Sequence, residues 1–185
     1  MPGKLPPGQQ FIPSWPVRTA EETPALDPKD WTLEITGLVK APKTLRIEEI
    51  HALPAIEVRG DFHCVESWSV PDNRWKGIRV RDLIDRSDLR EEAKFALFHS
   101  PGGYASELDV DCVMDDATIL AWERNGAPIP FEHGYPLRLI VPSRYAYKSV
   151  KWVCGIEFVD KDIRGFWEER GYHPVAGVWR NERYG

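Results

Sequence analysis

Cys64 lies in the stretch DFHCVESWS (residues 61–69), where the alternating run IEVRGDF gives way to an aromatic, polar sequence. A thiol in such a place can be a small buried hydrophobe, half of a disulfide, a ligand for a soft metal or a nucleophile. The chain has three cysteines, Cys64, Cys112 and Cys154. An odd count with no export signal argues against a disulfide framework, and no two of them have zinc-finger spacing. In an extended strand, residues two apart share a face. Ile56, Val58, Phe62 and Cys64 then point inward, while Glu57, Arg59, Asp61 and His63 point away. His63 is therefore badly placed to take the thiol proton, which disfavours a cysteine hydrolase. A lone cysteine on an apolar face is ordinarily core filler, the reading given to Cys112 and Cys154. Behind Cys64, however, VESWSVPDNRWKG brings two tryptophans, a serine pair and a Pro-Asp-Asn turn. A thiol at a strand end beside such a loop can be reached by a ligand.

A second feature is a cationic strip. From His133 to Lys151 the chain holds Arg138, Arg144 and Lys148 as well, and no Asp or Glu. With 29 acidic residues in 185, about three would be expected in a window this long. A local cationic strip in a protein of net charge −5 points to an anionic ligand, and phosphate suits arginine and backbone N–H groups. A solvated basic face is the ordinary alternative.

The elements that must position these groups are short and mixed. Residues 1–28 hold seven of the 16 prolines and read as an arm lying over the domain, residues 29–185. WTLEITGLV (31–39), IEVRGDFHC (56–64), KFALFHS (94–100), LRLIVP (137–142) and VKWVCGIEFV (150–159) read as strands. LRIEEIHAL (45–53), IRVRDLIDRSDL (78–89) and DDATILAWE (115–123) read as helices, and NGAPIP (125–130) as a turn. Without a regular βαβ rhythm the fold class is α+β. The length suits one domain, the net charge disfavours a nucleic-acid binder, and no apolar run is long enough to span a membrane. No signal peptide or twin-arginine pair is visible, so a cytoplasmic location is expected, or a periplasmic one if a leader has been removed.

The motifs FHCVESWS, HSPGGY and NGAPIPFEHGYPLRLIVPSRYAYKSVKW carry a resemblance to the molybdopterin-binding domain of the sulfite oxidase family. It covers about residues 11–175 and is closest to short, single-domain prokaryotic members related to the methionine-sulfoxide reductase catalytic subunit. The resemblance implies an α+β domain with mostly antiparallel and mixed sheets. It also implies a Mo-molybdopterin cofactor with one pterin dithiolene per metal. Cys64 matches the molybdenum ligand. His133, Arg138, Ser149, Val150 and Lys151 match pterin and phosphate contacts, and Ser100 falls near another. Trp15 and Arg18 lie in the arm that folds over the pterin in relatives. Tyr172 matches a tyrosine close to the metal. His63 and Tyr104 are further candidates for the cavity entrance.

One departure bears on the substrate. Sulfite oxidases place a sulfite-gripping arginine in the arm, where this chain reads FIPSWPV. Losing charge-assisted bonds to a dianion, each worth about 1.5–3 kcal/mol, favours a small neutral oxide such as a sulfoxide or N-oxide. The resemblance thus implies an oxygen-atom-transferring oxidoreductase. A binding module without turnover is the alternative. No haem-attachment motif is present, so electrons would come from a separate haem protein or cytochrome.

Overall fold

The computed structural model describes residues 4–185. Two sheets carry the fold. Eleven strands are described: β1 (Gln10–Phe11), β2 (Thr32–Gly37), β3 (Lys43–Arg46), β4 (Ile56–His63), β5 (Trp68–Arg79), β6 (Phe95–His99), β7 (Ala105–Asp109), β8 (Ile119–Arg124), β9 (Ala127–Pro128), β10 (Arg138–Ile140) and β11 (Gly155–Val159). Three helices of about one turn sit between them: α1 (Ile47–His51), α2 (Val80–Leu83) and α3 (Val110–Val113). The architecture is therefore α+β, with strands dominating.

The first sheet is built on β5. β4 pairs antiparallel with it along one edge. Its other edge takes β1 in parallel at the start and β8 antiparallel towards the end. β8 continues the sheet to β10, and the short β9 also pairs with β8. The second sheet runs β3-β2-β11-β6-β7, parallel only between β2 and β11. The largest apolar cluster packs between these layers, with Leu33, Ile35, Phe98, Leu137, Leu139, Trp152, Ile156 and Phe158 sealed from solvent. A smaller cluster of Phe62, Trp75, Ile119, Ala121, Ile129 and Ile140 lies under Trp15.

Several elements differ from the sequence reading. Residues 119–124 form β8, not a helix. Ile119, Leu120, Ala121 and Trp122 are all buried in the strand between β5 and β10, and a strand covered on both faces loses the alternation that marks it. The stretch behind Cys64 is not an extended polar loop: after a four-residue turn, β5 runs from Trp68 to Arg79. Asp72, with φ of 58°, breaks its alternation and imitates a turn sequence. β5 also takes up the first residues of the helix read at 78–89, leaving α2 and a 3₁₀ turn at Arg86–Asp88. Likewise β3 precedes a helix shortened to Ile47–His51, and the strand read at 150–159 begins only at Gly155.

Candidate active site

β4 ends at His63, and the chain reverses through residues 64–67 into β5. Cys64 N–H donates to Trp68 O at 2.8 Å, and Ser67 N–H to Cys64 O at 3.1 Å. The reversal needs a left-handed residue, and Ser67 supplies it with φ of 75°. This turn holds the Cys64 side chain, itself mostly buried, against a cavity of about 290 Å³. Among the described residues the thiol's side-chain hydrogen-bond partner is Glu66, whose Oε2 lies 3.9 Å from Sγ. Burial pushes the thiol up to about 11, so the free protein carries it protonated. Such a thiol is a poor nucleophile at neutral pH; a bound metal must displace its proton.

The cavity is walled by residues from four regions. The segment 15–21 contributes Trp15, Arg18 and Glu21. Phe62 to Trp68 contribute the Cys64 turn and Glu66. His133, Arg138, Ser149, Val150 and Lys151 form one end, and Tyr104, Tyr147, Trp167 and Tyr172 form an aromatic wall. Ten of the twelve residues named from the sequence, Tyr104 among them, therefore meet in one cavity. Ser100 does not line it; its hydroxyl donates to Glu21 Oε2 at 2.6 Å, and Glu21 faces the space.

The cationic end is sharply defined. Arg138, the first residue of β10 at the end of its sheet, donates through Nη1 to His133 O, while its buried Nε has no partner among the described residues. Burial lowers its guanidinium to about 9, which leaves it charged at neutral pH. Lys151 Nζ donates to Glu132 O at 2.8 Å. Burial and then Arg138 lower this lysine to about 7. Burial, Arg138 and Lys151 push His133 down to about 4, so its ring is neutral. Trp15 stacks on that ring at 3.9 Å between centroids, with Arg124 and Arg138 4.6 and 5.0 Å from its own ring. Gly134, with φ of 113°, lets the chain pass close to Lys151 and Arg138.

Two members of the cationic strip, neither of them among the expected cofactor contacts, face elsewhere. Lys148 is sealed from solvent and donates to Glu168 and, at 3.2 Å, to Glu107 Oε1. Arg144 pairs with Asp109 at 3.2 Å. Their partners lie outside the acid-free window and were invisible to a local count. His63 is buried rather than exposed, and its Nδ1 lies 2.7 Å from Ser69 Oγ, not at the thiol. Glu66 was missed although it stands two residues from Cys64. It accepts from Arg18 Nε at 2.8 Å and from Trp68 Nε1 at 3.0 Å. Tyr147 and Trp167 were missed because nothing local distinguishes them from core aromatics.

These groups fit a long anionic cofactor with a soft metal at one end. A thiol opens on the space, and a buried guanidinium with an orphaned Nε sits beside an amine whose proton is loosened by burial and by Arg138. Comparison with known proteins decides the family. The oxidoreductase molybdopterin binding domain matches residues 20–167.

The chain belongs to this family of molybdopterin-binding oxidoreductases. It is 38% identical over 183 residues to the uncharacterized oxidoreductase YuiH of Bacillus subtilis, covering 98% of this chain and 92% of the relative. It is 34% identical over 168 residues to the protein-methionine-sulfoxide reductase catalytic subunit MsrP of Gluconobacter oxydans, covering 80% of this chain and 53% of that protein. The chain thus spans about half the length of the latter. In fold it is similar to the sulfane dehydrogenase SoxCD of Paracoccus pantotrophus, with a TM-score of 0.70 and 22% identity over 82% of this chain and 44% of that one. Among the described residues of this molybdopterin-binding oxidoreductase, no helix is long and apolar enough to cross a membrane.

Proposed function

We propose that the protein is a molybdenum enzyme that moves an oxygen atom to or from a small neutral oxide, a sulfoxide or N-oxide rather than sulfite, with Cys64 as the protein ligand of the metal. The observation that carries this is the joint placement of the Cys64 thiol and the Arg138–Lys151 pair on one cavity. When bound, the molybdenum–dithiolene group supplies two-electron redox chemistry at the metal. The chain supplies the rest. Cys64 gives a thiolate once its proton is displaced. Arg138, through its unpartnered Nε, and Lys151 hold the pterin's phosphate; Ser149, Val150, His133 and Trp15 border the same end. Phosphate and arginine satisfy one another by charge-assisted bonds.

The mouth supports the neutral substrate. Arg18 is the cation that the arm brings to the cavity, and Glu66 already pairs with it. A dianion would have to compete with that carboxylate, whereas a dipolar oxide needs only a donor and an apolar wall. Tyr172 supplies the donor, a phenol that burial keeps protonated above its ordinary range. Trp68, Trp167 and Tyr147 supply the wall and exclude water from the substrate. The similarity to protein-methionine-sulfoxide reductase catalytic subunits supports a sulfoxide as the first compound to try. A separate haem protein or cytochrome would exchange electrons with the site.

The test is molybdenum content and the electron paramagnetic resonance spectrum of wild type and Cys64→Ser after expression with molybdate, with dye-linked assays on methionine sulfoxide and on sulfite. The expected result is a metal signal lost or changed in the variant, and turnover of the sulfoxide above sulfite. An unaltered signal in Cys64→Ser removes the ligand assignment. Metal-loaded protein that turns over neither compound points instead to a binding module.

A further inference from the structure

The turn that carries Cys64 is gripped from behind by two segments far from it in sequence. Gln9 is 7% exposed, and its Nε2 donates to Cys64 O at 3.0 Å. Its Oε1 accepts from Ser69 Oγ at 2.8 Å. Ser69 has one proton, so its 2.7 Å contact with His63 is a bond donated by His63 Nδ1–H. Flipping the Gln9 amide would set two oxygens against each other at Cys64 O, so the chain His63–Ser69–Gln9–Cys64 has a single proton arrangement. Gln10 N–H donates to Ser67 O at 2.9 Å.

Arg183 completes the grip. Its Nη1 donates to Val65 O and, at 3.0 Å, to Ser67 Oγ. Its Nη2 reaches Gly8 O at 3.3 Å and Pro7 O at 3.4 Å, and Nε is oriented by Asn181 Oδ1 at 2.8 Å. The guanidinium lies over the buried Tyr145 ring at 5.1 Å. The carbonyls of Cys64, Val65 and Ser67 are thus each taken by a donor from residues 9, 183 or 10. A serine at positive φ persists only where its surroundings over-determine it, and these bonds do so.

We propose that Gln9 and Arg183 are positioning residues for the Cys64 sulfur. They fix the 64–67 turn so that the thiol meets the cavity in one place before any cofactor arrives. The proposal rests on Cys64 being the metal ligand. A ligand held within a fraction of an ångström keeps the metal where the substrate wall expects it. Neither residue touches the cavity, and each acts through the backbone of the turn.

The experiment compares alkylation rates of Cys64, Cys112 and Cys154 by iodoacetamide, resolved by mass, in the cofactor-free full chain. Gln9→Met removes one donor without adding charge; Arg183→Met removes the fork, and Arg183→Lys keeps the charge. Loss of one such bond should raise the open population of the turn, and hence the Cys64 rate, about three- to tenfold. Cys112, on α3, and Cys154, just before β11, should stay within about twofold, because those elements keep their protection. Arg183→Lys should recover part of the Arg183→Met effect. Ser69→Ala, which spares the Gln9 bond to Cys64, serves as a milder variant and should show the same selectivity at smaller size. Equal acceleration at all three cysteines would mean general loosening and would overturn the proposal, as would an unchanged Cys64 rate. These rates are read without metal. Failure of the clamp therefore stays separate from failure of the ligand assignment, which Cys64→Ser tests through metal content.

Discussion

Lys151 shows how burial and a neighbouring like charge make one side chain responsive to an anion. Burial and Arg138 lower its pKa from 10.5 to about 7. Between these values the unfolded chain holds a proton that the folded chain has released, so the folded state gains stability as pH rises through that window. The cost of the buried charge is present in full below pH 7. An anion beside the amine reverses this by restoring the proton. Binding of sulfate, which keeps its charge throughout, should therefore weaken by about tenfold between pH 6 and 8.5 in the cofactor-free protein. Calorimetry at the two pH values checks it, and Lys151→Gln should bind more weakly at pH 6 and lose the pH dependence. Equal wild-type affinities would remove Lys151 from the anion end. At this scale much of the site was legible. Cys64, His133, Arg138 and Lys151 lie within two of the motifs that carry the family resemblance. Glu66, Tyr147 and Trp167 were not, since only the tertiary fold turns an ordinary carboxylate or aromatic ring towards the cavity.

Strands and turns decide whether those groups converge. The 3₁₀ turn Phe131–His133 must swing directly into β10 so that His133 and Arg138 face one space, and Gly134 makes the swing at φ of 113°. A Cβ there would lie 3.0 Å from Lys151 Cα and Cβ and 3.3 Å from Arg138 Cβ. Gly134→Ala combines a disfavoured backbone with that crowding and should cost about 1–3 kcal/mol. Thermal unfolding should show the loss, and sulfate affinity should fall with it because the two cations are pushed apart. A variant as stable as wild type with unchanged sulfate binding would contradict this account of the turn. Strands such as β2 and β6 were legible. β8 was read as a helix because its apolar run is buried on both faces, and β5 was hidden by Pro71 and Asp72, which read as a turn. Both errors come from local pattern. Pairing with β4, β8 and β10 holds these residues extended whatever their own periodicity.

Across the whole molecule, charge burial ties the segment bearing Trp167, Tyr172 and Arg183 to the second sheet. Lys148 follows Tyr147 in the 3₁₀ turn Ala146–Lys148 and bonds Glu168, just after Trp167, and Glu107 on β7. Ser106 Oγ also donates to Glu168 Oε1, at 2.7 Å. Two carboxylates thus share one buried amine, and burial raises Glu107 above the ordinary carboxylate range. Lys148→Met would leave both acids in the interior without a cation, a change expected to cost about 3–5 kcal/mol. Arg144→Gln, four positions away in the same cationic strip, breaks only the partly exposed pair with Asp109 and should cost under about 1 kcal/mol. Urea unfolding of the two variants separates them. Adding Glu168→Gln to Lys148→Met should restore part of the loss, since the remaining amide needs no counterion. If Lys148→Met proves as mild as Arg144→Gln, the triad does not dock this segment. The aromatic wall and the Arg183 grip on the Cys64 turn would then depend on the packing of Tyr145, Tyr147, Ala176 and Val178 and on bonds such as Phe166 N–H to Ala105 O at 2.8 Å and Tyr147 Oη–H to His173 O at 2.6 Å.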